Sequence, residues 1–393
     1  MSWSIVVTDG EQRSALAVVR SLGRAGHSVH VCASTAHSLA GASRFSDGAT
    51  IVPDALTNPD GFVAALAQVV TARQAKILLP ISEAALLAVL PDRHKFRCII
   101  PFSDAECFER ICDKGDVLRA ASVLGIDVPV QRVLISRGDL TSLRDMPFPI
   151  VLKPSRSVAG SRGSRVKTGV LYAADVHGLT TALRSLPDAA FPVLCQQRIE
   201  GLGTAVSLMV WDGEVKAAFA HRRLREKPPS GGVSVLRESI PLDAALLAKS
   251  VSLLHEFRWQ GVAMVEYKVA TTTGRPYLME INGRFWGSLQ LAIDAGIDFP
   301  LLLAQSAMGM AVAPRLSYPS GVRTRWEWGE VDHLLARLRH SPSDLSLPAD
   351  APTRVQAAKA FLEGFSTDVR CEVFSLDDIR PFVRESLNWV RGR

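Results

Sequence analysis

Apolar residues change their spacing along this chain in a regular order. Residues 5–7 (Ile5, Val6, Val7) form a short apolar run of the kind a buried strand shows. Residues 14–25 then carry Leu16, Val18, Val19 and Leu22 at helical spacing before Gly26, and residues 29–32 return to a strand. This strand, helix, strand order predicts a right-handed parallel crossover, the opening of a doubly wound sheet. The same rhythm continues with a helix over 61–71, a strand over 77–80, a helix over 83–90 and a strand over 98–101. Beyond Ser103 the spacing becomes helical, over 104–112 and 114–124, so a boundary is expected near residue 102.

From about residue 130 the pattern is mixed. Strands are expected at 131–135, 150–153 and 193–197, with a helix over 175–186. Strands over 205–211 and 214–220 are joined by Asp212-Gly213, a strong hairpin signal. A helix over 243–257 precedes another strand pair, 261–270 and 276–281. Antiparallel strands with helices predict an α+β unit unlike the α/β layer before it. The last 80 or so residues, after Pro314, read as a helical cap.

Composition narrows the classes. The 393 residues are 47% hydrophobic and 21% charged, a globular composition too long for one core. Lys and Arg exceed Asp and Glu by 45 to 39, a net charge of +6 that permits anionic substrates without calling for nucleic acid. The six cysteines form no C-x-x-C pair, which fits free thiols and a cytoplasmic setting better than zinc or disulfides. No signal-like start is seen, and the apolar stretch at 299–314 is too short to cross a bilayer. The turn after the first strand, Thr8-Asp9-Gly10-Glu11, lacks the dinucleotide glycine fingerprint and would repel a pyrophosphate. No H-E-x-x-H or G-x-S-x-G occurs, which argues against zinc hydrolysis and serine hydrolase chemistry.

Three segments hold candidate chemistry. In the strand pair near the end of the core, alternation puts Glu280, Asn282 and Arg284 on one face, with Met279 and Ile281 toward the core, and Glu266 and Lys268 share a face as well. If the two faces meet, their hard oxygen ligands suit Mg²⁺; the plainer alternative is a solvated face of cross-strand ion pairs. Lys153 ends a buried strand and is followed by a Gly/Ser-rich loop that includes Gly160, Ser161, Gly163 and Ser164. Such a loop lets backbone N–H groups approach phosphate, although it is as often a surface turn. His221-Arg222-Arg223-Leu224-Arg225 and the residues up to Gly232 are expected to form an irregular basic loop, either solvated or recognising a carboxylate or phosphate.

Taken in order, Asp113-Lys114, the strand ending at Lys153 with its loop, Cys195-Gln196-Gln197-Arg198-Ile199, the pair Glu266 and Glu280, and Asn282-Gly283-Arg284 resemble the ATP-grasp superfamily. Within it the chain looks most like the stand-alone carboxylate-amine ligases, often labelled carbamoyl-phosphate-synthase-like. The resemblance implies a Rossmann-like pre-ATP-grasp domain over 1–102. A two-lobed ATP-grasp domain with antiparallel sheets would follow over 103–310 (small lobe about 113–198, large lobe about 199–310), then a helical extension over 311–393. It also implies ATP and Mg²⁺ or Mn²⁺ as cofactors. Lys114 and Lys153 would contact the phosphates under the 160–164 loop. The backbone of Gln197 and Ile199, with the Gln196 side chain, would face adenine. Glu266, Glu280 and Asn282 would hold the metal, Arg284 would stabilise the transferred phosphoryl group, and Lys268 with Arg222, Arg223 and Arg225 would face the acid. The sequence departs from the family pattern in having Asn-Gly-Arg in place of Asn-Pro-Arg and glutamines at the hinge acid.

The implied reaction is ATP-dependent activation of a carboxylate as an acyl phosphate and its capture by an amine. A nucleotide-binding regulatory or scaffold protein and carbamoyl-phosphate-type phosphorylation are the alternatives. Small-molecule partners are expected, with neither nucleic acid nor membrane. The apolar residues 301–312 and the C-terminal cap offer a face for a homodimer.

Overall fold

A computed structural model describes residues 2–392 except 139–142, 144, 168, 346, 348–350 and 365–367. The chain opens with β1 (Ser4–Val7), α1 (Arg13–Arg24), β2 (Ser28–Ala33), β3 (Gly48–Ile51), α2 (Pro59–Ala72), β4 (Ile77–Leu79) and α3 (Glu83–Val89). The four strands form a parallel sheet in the order β3-β2-β1-β4. Both faces are covered, which is why β1 and β4 read as unbroken apolar runs. The strand expected at 98–101 is only a single bridge, Ile77 to Ile99, cut short before Pro101. β3 escaped the pattern because it is a half-exposed strand with Ile51 as its one large apolar residue. The acids of the first turn tie strand ends together. Asp9 accepts from the Ser82 N–H at 3.0 Å and the Ser82 hydroxyl at 2.6 Å, and Glu11 accepts from the Ser34 N–H at 2.6 Å.

Next come α4 (Ala105–Cys112) and α5 (Lys114–Val123), then β5 (Gln131–Leu134), β6 (Ile150–Pro154), β7 (Val158–Ala159), β8 (Val166–Lys167), β9 (Leu171–Ala173), α6 (Val176–Ser185) and β10 (Val193–Gln197). An antiparallel sheet in the order β5-β10-β6-β9 packs one face into a small core of its own, with Leu134, Ile150, Leu152, Leu179 and Val193. The other face carries Val151, Lys153, Leu194 and Gln196, by strand alternation.

The largest sheet contains β11 (Gly201–Trp211), β12 (Glu214–Lys227), β13 (Val233–Ser239), β14 (Gly261–Ala270) and β15 (Pro276–Asn282), with α7 (Ala244–Glu256) between β13 and β14. At Asp212-Gly213 both residues have positive φ, 51° and 76°, as a tight hairpin turn requires. The basic segment from His221 is not an irregular loop: β12 continues through it to Lys227, with two irregularities in its pairing to β13. Ion pairs make a strand feasible there, since Arg222 meets Glu238 at 2.5 Å and Arg223 meets Glu266. β13 was missed because Ser234, Arg237 and Glu238 are buried polar residues that erase its alternation.

The chain ends with α8 (Leu289–Asp294), α9 (Phe299–Ala307), β16 (Arg323–Arg325), α10 (Glu327–Arg339), α11 (Arg354–Glu363), β17 (Val369–Cys371) and α12 (Arg380–Arg391). The C-terminal residues are therefore not purely helical: β16 and β17 extend the large sheet to the order β15-β14-β11-β12-β13-β16-β17. Within the apolar run at 301–312, Leu303 and Ala304 are fully buried in the main core, while Met310 is exposed. No described helix is long and apolar enough to cross a membrane.

The tail also clamps the N-terminal layer. Arg20 of α1 donates to Asp378 at 2.8 Å and to the Val373 carbonyl at 2.8 Å, and Glu372 pairs with both Arg13 and the fully buried Arg237. Beside this cluster Glu385 accepts from the Trp326 indole at 2.8 Å, and the Arg13 guanidinium lies 3.9 Å from the Trp326 ring centroid. Burial, reinforced by Glu327 against the indole hydrogen bond, pushes the Glu385 carboxyl up to about 7. A raised carboxyl pKa means that the folded chain holds a proton that the unfolded chain releases above about pH 4.5. Glu385 therefore withdraws stability as pH rises from about 4.5 to 7. Glu385→Gln, which keeps the indole acceptor, should flatten that part of the stability profile and stabilise the fold at pH 8 by about 1 kcal/mol. Urea denaturation at pH 5 and 8 checks this, and a variant as sensitive to pH as the wild type would refute it.

Candidate functional site

The site is built on the β14–β15 pair. In its register Glu266 stands directly opposite Glu280, and Met264 opposite Asn282. The pairing then slips, so that Tyr267 faces Leu278 and Met279 becomes the extra residue of a bulge. This corrects the expectation for Met279. It is only partly buried, and its sulfur lies 3.8 Å from the Lys153 ammonium, whereas Ile281 is buried in the core as expected. The bulge keeps Glu280 on the face of Glu266 while Leu278 and Tyr267 fill the opposite face.

Asn282 knits the two carboxylates together, its amide donating to Glu266 at 3.0 Å and to Glu280 at 3.3 Å. Its oxygen accepts from Arg284 at 2.7 Å, and Arg284 also donates to the Phe285 carbonyl at 3.0 Å. The lysines come from elsewhere. Lys114, the first residue of α5 after the N-cap Asp113, is buried, with its ammonium 3.2 Å from Glu280 and 3.0 Å from the Ser157 hydroxyl. Burial opposes the Glu280 charge, but Lys114 and Lys153 overcome it and hold that carboxyl down to about 2. Burial raises Glu266, against the pull of Arg223. Lys153 is drawn down to about 8 by burial, with Glu280 resisting.

Arg223 reaches the carboxylates from two strands away. β11 lies between β12 and β14, and Gly203 of β11 is paired with Lys268 on one side, in the same row as Arg223 on the other. A Cβ on Gly203 would sit 2.8 Å from the Arg223 Cδ, so the glycine is what lets the arginine lie flat across β11 to Glu266. Arg223 also donates to Glu226 at 3.1 Å and to the Gly232 carbonyl at 3.2 Å. Burial, despite nearby Glu226, lowers Lys268. Of the three arginines expected to act together, only Arg223 joins the carboxylates. Arg222 turns to Glu238, and Arg225 to Glu330 at 2.8 Å.

The remaining candidates line the small sheet. Gln196 is buried and donates to the Gln131 side chain at 2.8 Å, on the face that carries Lys153. The Gln197 N–H is taken by the Val130 carbonyl at 2.8 Å, so that group is not free for a base, and Ile199 lies in the link between β10 and β11. Gly160 and Gly163 adopt positive φ in the turn between β7 and β8, where the Ser161 and Ser164 hydroxyls meet at 2.9 Å. Arg162 at the tip of this turn reaches the N-terminal layer, 2.6 Å from Asp92 and 2.7 Å from Asp60. Sequence reasoning missed Ser157, Gly203 and Glu226. The Gly-x-Gly of residues 201–203 at the start of a strand was the available signal for close backbone approach.

The two opposed carboxylates offer the hard oxygens that suit Mg²⁺, while Asn282 turns its nitrogen to them and its oxygen to Arg284, so its oxygen would have to turn inward to join them. No group of three or more His, Cys, Asp or Glu side chains is gathered among the described residues.

A family model described as "ATP-grasp in the biosynthetic pathway with Ter operon" matches residues 190–329. No curated protein sequence matches. Among solved structures, an L-amino acid ligase from Bacillus licheniformis superimposes with a TM-score of 0.62 at 17% identity, over 78% of this chain and 74% of that one. A biotin carboxylase complex with β,γ-ATP from Campylobacter jejuni gives 0.64 at 15% identity, over 82% and 74%. An N5-carboxyaminoimidazole synthetase from Staphylococcus aureus complexed with ADP gives 0.62 at 12% identity, over 82% and 80%. The parallel layer and the two antiparallel sheets are thus a fold this chain shares with these structures, and the ATP-grasp family model covers strands β10 to β16 of it.

Proposed function

We propose that the protein is an ADP-forming ligase that activates a carboxylate with ATP and joins it to an amine. The observation that carries the reading is the convergence of Glu266, Glu280 and Asn282 on one face, met by Lys114 and Lys153 from outside that sheet. The similar structure from Bacillus licheniformis is an L-amino acid ligase, in agreement with this reading. The nearest subgroup on this reading remains the stand-alone carboxylate-amine ligases, and six free cysteines suit work in the cytoplasm.

In this reaction an oxygen of the substrate carboxylate attacks the γ-phosphorus, the bond to the β-phosphate oxygen breaks, and ADP leaves. The amine nitrogen then attacks the acyl carbon, loses a proton, and inorganic phosphate departs. The chain is asked for positioning and charge neutralisation, with no covalent nucleophile. Lys114 and Lys153 would neutralise the phosphates, and Arg284, steadied by Asn282 and the Phe285 carbonyl, would face the transferred group. Glu266, Glu280 and Asn282 would hold Mg²⁺, which would supply Lewis-acid withdrawal of charge from the phosphates. The turn carrying Gly160, Ser161, Gly163 and Ser164 would cover the phosphates and keep water from the acyl phosphate.

ADP release with ATP, Mg²⁺ and paired panels of acids and amines tests the reading. Release that depends on one acid and one amine is the expected result. Glu280→Gln should lower kcat by about a hundredfold or more while circular dichroism stays unchanged. Undiminished ADP formation in that variant would sink the assignment.

Lys153 gives an independent check. Its lowered pKa leaves it largely uncharged above about pH 8, and an arriving polyphosphate would favour the charged form. Nucleotide binding should therefore take up protons at pH 8.5 and weaken as pH climbs further. Calorimetry in two buffers of different ionisation enthalpy measures the uptake. Lys153→Gln should abolish it, and an uptake of the same size in that variant would be the contrary result.

A further inference from the structure

The turn between β7 and β8 is tied to the N-terminal layer at its tip. Arg162 stands between Gly160 and Gly163, whose positive φ values of 99° and 87° let the chain double back around the arginine. Its guanidinium reaches two acids of that layer, 2.7 Å from Asp60 in the first turn of α2 and 2.6 Å from Asp92 just beyond α3. Asp92 is built into the layer, since its side chain is only 15% exposed and also holds Lys95 at 2.9 Å. Burial works against the Asp92 charge, but Lys95 and Arg162 overcome it and keep that carboxyl below its ordinary range. Neither acid belongs to the paired-carboxylate site, so the tether is separate from the residues assigned to the chemistry.

The near end of the same turn rests on that site. The Lys114 ammonium donates to the Ser157 hydroxyl at 3.0 Å and lies 3.2 Å from Glu280, and Lys114 is only 7% exposed. The stretch from Ser157 to Arg162 is therefore a strap anchored at both ends, on the lysine beside Glu280 and on the N-terminal layer. Two charged groups are shut in along it. One guanidinium nitrogen of Arg165 and one carboxylate oxygen of Glu83, the first residue of α3, are buried with no hydrogen-bond partner among the described residues. Burial lowers Arg165, with Glu83 among the acids that resist, so the two charges face each other without a hydrogen bond between them. Keeping such groups dry and unpaired costs free energy, and a shut strap that does so needs a contact elsewhere to hold it.

We infer that this turn is a lid latched shut by Arg162 on Asp60 and Asp92, and that nucleotide enters and leaves only after the latch opens. The inference rests on reading Lys114 and Lys153 as the phosphate-binding lysines. The latch holds the lid down, while Arg165 and Glu83, which regain water when it lifts, favour opening. The N-terminal layer thus acts on nucleotide exchange through two acids that touch no substrate.

Stopped-flow fluorescence with mant-ADP and Mg²⁺ on the full-length chain tests the latch. Arg162→Ala and the double variant Asp60→Asn/Asp92→Asn should each take up and release the nucleotide about fivefold or more faster than the wild type. Adding Arg162→Ala to the double variant should change release by less than about twofold, because the partners of the arginine are already gone. Added salt should speed release from the wild type more than from Arg162→Ala. Release unchanged in the two variants, or effects that simply add, would overturn the latch and leave the ligase reading standing. A wild type that binds no mant-ADP would remove the ligase reading, and the gate with it. Limited trypsin digestion gives a readout that needs no nucleotide. The double variant keeps Arg162 and should be cut after it about fivefold or more faster than the wild type, with an unchanged circular dichroism spectrum. Cutting no faster than in the wild type would refute the latch by itself.

Discussion

Everything at the centre of this molecule depends on holding Glu266 and Glu280 opposite each other on neighbouring strands. Directly opposed side chains in a sheet lie within about 5.5 Å, where like charges destabilise the pair, and burial makes the repulsion worse. The chain answers with four groups from four places: Lys114 at the start of a helix, Lys153 on the smaller sheet, Arg223 from two strands away and Asn282 on the same strand. The division is uneven. Lys114 and Lys153 favour Glu280, which stays strongly acidic, while Glu266 is left with Arg223 and a raised pKa. One carboxylate is thus firmly charged and the other is nearer to protonation, an asymmetry fixed by which side of the pair each cation approaches.

How much of this was legible follows from where pattern and charge agree. Glu280 and Asn282 were visible because alternate residues share a face, a rule that β15 keeps across them, and Arg284 just beyond it turns back to Asn282. Met279 was not, because a single-residue bulge leaves no mark on composition. Apolar periodicity recovered β1, β2, β4 and most helices, where packing alone decides the fold. It failed at β12 beyond Ala220 and at β13, where the strands are held by ion pairs and buried polar residues. A run of arginines looks like a loop when their acidic partners lie 16 and 43 residues further on, as Glu238 does for Arg222 and Glu266 for Arg223. The C-terminal residues were read as helical because β16 and β17 are only three residues each and make sense only as additions to an existing sheet edge.

The same tail fixes the geometry on a larger scale. Glu372 joins Arg13 of the N-terminal layer to Arg237 of the large sheet, and Asp378 locks Arg20, so the first and last parts of the chain brace one another around a single core. The smaller sheet stands apart from this frame, with a separate core. Units with separate cores move relative to one another unless their interface is large and apolar. The smaller unit meets the frame through Val158 and Leu194, which pack into the main core, and through polar bridges: Lys153 to Met279, Ser157 to the Lys114 that pairs with Glu280, and Arg162 to Asp60 and Asp92. The contacts of Lys114 and Lys153 lie where, on the ligase reading, phosphate groups would enter. Anions placed there would compete with Glu280 for Lys114 and Lys153, so the contacts that position the smaller unit in the free chain are the ones a nucleotide would rearrange. The frame, braced by the tail through Glu372 and Asp378, need not change when they do.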